Sequence, residues 1–458
     1  MIIDKKYIHL STSLFFKLLI NVFVVFYIAK KVPLSDFGSF SIAFIIGTMT
    51  TLSLDFGFNL RSLILSNKNR KEINEELSAM IFSKLIISIL IIFGTFFFIY
   101  FISTYTNKTN ILIVILIASA FPNSFGNFYL NNFKILGEFD KEAIGYTIQG
   151  TILIFLLIIN SFYGENDIIY YAMVLFIARL FYFLFGLLIF RKYFFKMKTF
   201  NINKSLNSIK KATPYGVHLI LGASIIYIDT FILSILSNLE SVGLYQAGMR
   251  IIMASMLISV IINDAFIPVI SNLVINKELA SKKLSKLFEF ILLFSTLVVT
   301  SLFFYKKTVI LLLFSNDFLE LESYILLVLI IVFLRYIGIV PGIILTSFGK
   351  QIIRAKAVVL SIIISIILNV ILIPIYGIKG AFISSLIAHV SLNIIYLYFS
   401  YKIVNFTKNI YLLVLIMIFL LNLIIQEYVF RDSFFYLGVT IVINIFVIYF
   451  FKKRTFSI

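Results

Sequence analysis

A chain of 458 residues that is 61% hydrophobic and 13% charged, with a mean hydropathy of +1.06, has more apolar surface than a water-soluble core can hide, so lipid must cover the rest. Its net charge of +18 is spread over the connections between apolar stretches rather than gathered on one face or tail, which argues against a nucleic-acid binder. Cys is absent, which removes disulfides, thiol nucleophiles and Cys-ligated metals.

A hydrocarbon core about 30 Å thick takes roughly 20 apolar residues of helix to cross. On that criterion about 14 transmembrane helices are predicted, beginning near Leu10, Phe40, Ser78, Ile111, Ile144, Ile168, Pro214, Val242, Ser285, Ser323, Ile352, Ile378, Asn409 and Phe434. The first run, Leu10 to Ala29, follows Lys5 and Lys6 but is too long for a signal core and lacks a small-residue cleavage site, so it reads as a retained helix. The termini and even-numbered connections hold 27 Lys and Arg residues, and the odd-numbered connections hold 7. That bias places both termini in the cytoplasm. The fold class expected is an all-α polytopic membrane protein.

Three loop motifs recur in order. Leu34-Ser35-Asp36-Phe37-Gly38 answers Leu239-Glu240-Ser241-Val242-Gly243, Gly137 answers Gly349, and Tyr163-Gly164 answers Tyr376-Gly377, at offsets of 205, 212 and 213. A nearly constant offset points to two six-span halves. Six spans preserve orientation, so the repeats are parallel lobes around a central cavity, with alternating access as the mechanism. The expected organisation is an N-lobe at 1–192, a basic amphipathic cytoplasmic linker at 193–213, a C-lobe at 214–402, and two extra spans at 403–458. The linker is either a solvated tether or an interfacial helix on anionic lipid.

Lys17, Arg179, Arg250 and Arg335 fall well inside their spans, where a central charge costs about 3 kcal/mol or more and must face protein or water. Asp229 is the deepest acid, because Asp55 and Asp264 lie near span ends; Lys84 is placed to snorkel. Four cations cannot all pair with one acid. Arg250 with Asp229 is the obvious structural pair, and the surplus awaits an anionic ligand.

Polar residues recur at four-residue spacing, which stacks them on one helix face. Lys17 and Asn21 do so with Ser13, and Ser119, Asn123, Asn127 and Asn131 form the longest such stripe. Ser361, Ser365 and Asn369 form another, as do Ser385, His389 and Asn393. Each stripe serves either helix-to-helix hydrogen bonding or a hydrated path, and amides suit sugar hydroxyls because they both donate and accept. His218 and His389 lack the paired spacing of a metal site. No phosphate loop, dinucleotide fingerprint or nucleophile elbow is present, so no enzymatic activity and no cofactor are expected.

With these residues laid out, the chain resembles the Wzx-type polysaccharide flippases of the multidrug/oligosaccharidyl-lipid/polysaccharide exporter superfamily, roughly from Leu10 to Lys402. The resemblance rests on Leu34 to Gly38, Leu54-Asp55-Phe56-Gly57-Phe58, Ser241 to Tyr245 with Ala247 and Arg250, Phe266 to Ile270, Leu345 to Lys350, and above all Asn369 to Ala381. It implies transfer of undecaprenyl-pyrophosphate-linked oligosaccharide units across the bacterial cytoplasmic membrane for O-antigen or capsule synthesis. A polysaccharide polymerase and a chain-length regulator are the partners it implies. Related lipid II flippases look similar in placing basic residues of spans one and eight on the diphosphate, positions matched by Lys17 and Arg250. They also hold sodium near acids and amides resembling Asp229 and Asn369. Ile373 departs from that pattern, being apolar where a second carboxylate is expected, which leaves proton coupling through Asp229 equally open.

Substrate binding is therefore expected at Lys17, Asn21, Asn123, Asn127, Arg179, Arg250 and Arg335, and ion coupling by Na+ or H+ at Asp229, Asn369 and His389. A drug exporter of the same superfamily would want an acidic interior, which four buried cations oppose. A membrane polymerase or acyltransferase is the alternative from another class, but every odd-numbered connection here is short.

Overall fold

The computed structural model describes residues 20, 22–63, 65, 70–138, 140–163, 166–194 and 201–406. Every regular element among them is a helix. In chain order these are α1 (22–31), α2 (Leu34–Asp55), α3 (Phe58–Leu63), α4 (Arg70–Phe97), α5 (Asn107–Asn131), α6 (Asp140–Tyr163), α7 (Ile168–Phe194), α8 (Ile202–Leu236), α9 (Leu239–Ser255), α10 (Leu257–Ser271), α11 (Lys277–Phe304), α12 (Lys306–Leu313), α13 (Ile325–Ile337), α14 (Ile339–Ser347), α15 (Gln351–Tyr376) and α16 (Ile378–Ile403). Eleven stretches, from Leu34–Leu63 to Ile378–Ile403, are long and apolar enough to cross a membrane. They correspond one for one to the second through twelfth predicted spans. Most of the first span, with Lys17 and Asn21, and both extra spans from Asn409 onward lie outside the described residues.

The outer faces of these helices are apolar. Phe93 on α4 is 70% exposed and Phe162 on α6 is 83% exposed, whereas Ser41, Lys84, Asp229 and Asn369 are buried. Helices solvated by hydrocarbon sort residues this way, because a polar group facing lipid finds no partner.

The chain divides into two compact units, Met1–Tyr227 and Ile228–Ile458. In the first, α5 packs along both α2 and α7. In the second, α15 and α16 form a tight hairpin, and α13 packs on α9, α11 and α16. The hairpin turns at Gly377, whose φ of 57° with ψ of −134° is open to glycine and closed to residues with a Cβ. Gly137 and Gly349, matched by the sequence repeat, share a left-handed backbone, with φ of 73° and 69°.

The unit boundary falls inside α8. The described part of the predicted linker, from Ile202 to Thr213, forms the opening turns of α8 and continues without a break into the seventh span. Its small face, Ser205, Ser208 and Ala212, is buried against the first unit, while Ile202 and Leu206 are exposed. Arg61 of α3 holds it there, donating to the Ser208 carbonyl at 2.9 Å and hydroxyl at 2.7 Å while pairing with Glu76 at 2.5 Å. Ser83 of α4 adds a bond to the Ser205 carbonyl at 2.9 Å.

Candidate functional site

The second unit builds its polar centre where α8, α9 and α15 meet. The Gly377 turn brings the α15 stripe of Ser361, Ser365 and Asn369, all buried, against α16 with Ser385, His389 and Asn393. Asp229, on the unit's part of α8, is 2% exposed and points into that seam. Tyr245 donates to its Oδ2 at 2.9 Å, and Asn369 donates to its Oδ1 at 2.6 Å. Ser365 also donates to Oδ1, and Asn369 donates to Ser365 at 3.0 Å. Asp229 thus accepts from Tyr245, Ser365 and Asn369, has the Ser385 hydroxyl in reach as well, and has no ion-pair partner among the described residues. The Asn369 amide spends its nitrogen on these bonds, and its Oδ1 is buried with no donor.

Arg250 does not form the predicted pair with Asp229. The two sit on consecutive helices, but Tyr245 occupies the face of α9 turned to Asp229, and five residues further on a helix points about 140° away. The Arg250 guanidinium is buried and reaches Met253 Sδ at 3.7 Å.

Arg335 on α13 is half-buried, and its Nη1 is a buried donor with no acceptor among the described residues. The His389 imidazole of α16 lies within electrostatic reach of this guanidinium. One turn along, Asn393 donates to the Leu334 carbonyl at 3.0 Å and to the His389 carbonyl at 2.9 Å. Both amide hydrogens are therefore committed, and its Oδ1 is left buried without a donor. That oxygen lies 2.9 Å from where a Cβ on Gly338 would stand, so only glycine fits there without a shift.

In the first unit, Arg179 of α7 donates to the Ser119 hydroxyl of α5 at 2.6 Å and lies over the Phe44 ring at 5.9 Å. It has no carboxylate partner among the described residues. The amide stripe divides: Asn127 accepts from Tyr182 at 3.0 Å, and Asn131 donates to the Asn59 carbonyl at 3.1 Å and accepts from Lys134 at 3.0 Å. Asn123, between Ser119 and Asn127 on the same face, is half-buried and bonds to none of the described residues.

Lys84 does not snorkel. It is fully buried, donating to the Leu54 carbonyl at 3.0 Å and the Ser124 hydroxyl at 2.8 Å, with Asp55 at 3.8 Å and the Phe125 and Phe128 rings at 5.3 and 5.4 Å. The ammonium joins α2, α4 and α5 into one packed corner. Tyr245 is the residue that sequence reasoning misses at Asp229; it stands in a motif of the family resemblance, which assigns it no role. His218 is exposed. Among the described residues no cluster of His, Cys, Asp or Glu is suited to hold a metal through three such side chains.

The chain matches the polysaccharide biosynthesis protein family over residues 3–274. A search of curated proteins finds no match. Among solved structures it is similar to the lipid II flippase MurJ in an inward closed conformation, at 18% identity over 98% of this chain and 99% of that one, with a TM-score of 0.75. It is also similar to an inward-facing multidrug resistance MATE family transporter of the MOP superfamily, at 13% identity over 87% of this chain and 98% of that one, TM-score 0.68. A third is a MOP superfamily transporter from Pyrococcus furiosus described as having a binding pocket of reverse polarity, at 15% identity over 87% and 95%, TM-score 0.61. At these identities the likeness shows the fold.

Proposed function

The chain belongs to the polysaccharide biosynthesis protein family, and from that premise we propose that it is a flippase carrying undecaprenyl-pyrophosphate-linked oligosaccharide units from the cytoplasmic to the outer leaflet of a bacterial cytoplasmic membrane. The observation that carries the reading is the set of cations inside the spans that lack acids. Arg179 and Arg335 have no carboxylate partner among the described residues. Asp229, the acid nearest the middle of a span, is engaged by hydroxyls and an amide instead. A guanidinium held in a membrane without a counter-charge is matched to an anionic cargo. The pyrophosphate rests on Lys17 and Arg250, with Arg179 and Arg335 as further cations along its route. The prenyl chain stays in lipid.

Transport proceeds by alternating access and is coupled to an ion at Asp229. The residues there fit a monovalent cation: a carboxylate with no paired charge stands beside Asn369 Oδ1, a buried oxygen without a donor. Sodium would take these oxygens as ligands, and a proton would take the carboxylate alone. Ile373, buried one turn beyond Asn369, supplies no second charge.

The test is Arg250→Ala expressed in a host that depends on this chain for its surface glycan. The expected outcome is loss of surface glycan with the protein still inserted and lipid-linked units accumulating inside. Normal glycan from that variant would refute the assignment. Proteoliposome transport of a defined lipid-linked oligosaccharide, with sodium or proton gradients imposed separately, identifies the coupling ion.

A further inference from the structure

Arg335 and Asn393 present an unusual combination within the second unit. One offers a buried N–H with no acceptor, the other a buried carbonyl oxygen with no donor. A buried polar atom left unmatched costs about 1–3 kcal/mol. Asn393 cannot rotate to relieve itself, because its two amide hydrogens are bonded to the Leu334 and His389 carbonyls. Arg335 and Gly338 share a face of the helix at three-residue spacing, and Asn393 Oδ1 abuts Gly338. The orphan donor and orphan acceptor therefore stand one turn apart along one seam between α13 and α16, with His389 beside the guanidinium.

A pyrophosphate diester offers acceptors and no donor when ionised, so it satisfies Arg335 and leaves Asn393 bare. A neutral sugar offers hydroxyls but no charge for the guanidinium. A sugar acid offers a carboxylate and hydroxyls a few ångströms apart, and it answers both. The first unit repeats the combination with other residues: Arg179, free of acids among the described residues, bonds Ser119, and Asn123 stands one turn along with its amide unengaged.

Resting on the flippase reading above, we infer that the transported glycan is acidic, and that Arg335, His389 and Asn393 form a subsite for its carboxylate-bearing sugar. Arg335 takes the carboxylate, and Asn393 Oδ1 accepts from a neighbouring hydroxyl. His389 lies within electrostatic reach of that guanidinium.

The test compares two undecaprenyl-pyrophosphate oligosaccharides differing at one position, one carrying glucuronic acid and the other glucose, the product of reducing that carboxyl. Each is presented to the purified full chain in proteoliposomes. In parallel, binding of the free glucuronic-acid disaccharide and its glucose counterpart is measured in detergent. The acid form is expected to be preferred about tenfold in both assays, the worth of one charge-assisted hydrogen bond. Arg335→Gln, and Asn393→Asp, which places an acid beside Arg335, are each expected to bring the preference close to one. Equal transport of the two lipids by the unaltered protein overturns the acidic-glycan inference while leaving the flippase reading intact. Preferential binding of the acidic disaccharide without transport of either lipid supports the subsite and overturns the flippase reading. A variant that keeps the full preference with Arg335 replaced assigns the selectivity elsewhere and overturns the subsite.

Discussion

Replacing Asp229 separates a coupling role from a structural one, because the two available substitutions act differently on its three donors. In Asp229→Ala the Tyr245 hydroxyl, the Ser365 hydroxyl and the Asn369 amide all lose their acceptor in a buried site. At about 1–3 kcal/mol for each orphaned group, the expected destabilisation is about 3 kcal/mol or more. Asp229→Asn keeps the shape. Its oxygen still accepts from Ser365 and Asn369, and its nitrogen donates to the Tyr245 oxygen, which can turn to accept. It also removes a buried charge that has no counter-ion, so the net change is expected within about 1 kcal/mol. With no Trp or Cys in the chain, intrinsic tryptophan fluorescence and thiol dyes do not report unfolding, and stability is read from the fraction remaining monodisperse on size exclusion after heating. Both variants are expected to lose gradient-driven transport, while Asp229→Asn melts close to the unaltered protein. Retained gradient dependence in Asp229→Asn would remove Asp229 from the coupling step. An Asp229→Ala protein as stable as its parent would show that the three donors do not depend on this carboxylate.

Two further outcomes follow from the packing. Lys84→Ala leaves Asp55 buried without its cation and is expected to cost about 3–5 kcal/mol, whereas Lys84→Met combined with Asp55→Asn recovers most of that loss; a double variant no more stable than Lys84→Ala would show that the pair is not the cause. Gly377→Ala forces a side chain into a backbone conformation suited to glycine and is expected to destabilise by about 1–3 kcal/mol, read by the same heating assay; an unchanged melt would refute the strain argument.

The spans were legible in the sequence because crossing hydrocarbon demands a run of fixed length, and that demand is local. The eleven membrane-length stretches among the described residues match the predicted spans in order, though several helices start earlier than hydropathy placed them, α8 at Ile202 rather than Pro214. Glycines 137, 349 and 377 were legible for a related reason: a chain reversal needs a residue of positive φ at a definite place, a need seen at both Gly137 and Gly349, which the sequence pairs. Partner choice was not legible, since it depends on the rotation of one helix about its axis relative to the next. Arg250 and Asp229 lie on consecutive spans, yet the turn from Tyr245 to Arg250 carries the guanidinium off the shared face. Lys84 looked free to snorkel because sequence gives depth without neighbours; what holds it is the Leu54 carbonyl near the end of α2 and the Ser124 hydroxyl on α5. The amide stripe on α5 was legible as a stripe, but which amide remains unengaged depended on Tyr182 and Asn59.

How this protein treats its buried charges argues that the unpaired ones serve transport. Where a charge serves the architecture, an opposite charge is supplied: Lys84 stands by Asp55, Arg61 meets Glu76 at 2.5 Å, and Lys134 meets Glu142 at 2.7 Å. In the second unit neither Asp229 nor Arg335 has an ion-pair partner among the described residues. Instead Asp229 is solvated by hydroxyls and an amide, and Arg335 keeps an unsatisfied donor. Keeping acid and guanidinium apart costs stability, because removing either partner's counter-charge from a buried site is strongly unfavourable. The proposed transport cycle needs both groups open to a mobile partner, a cation at Asp229 and an anionic group at Arg335. An internal salt bridge would satisfy both groups and close both sites.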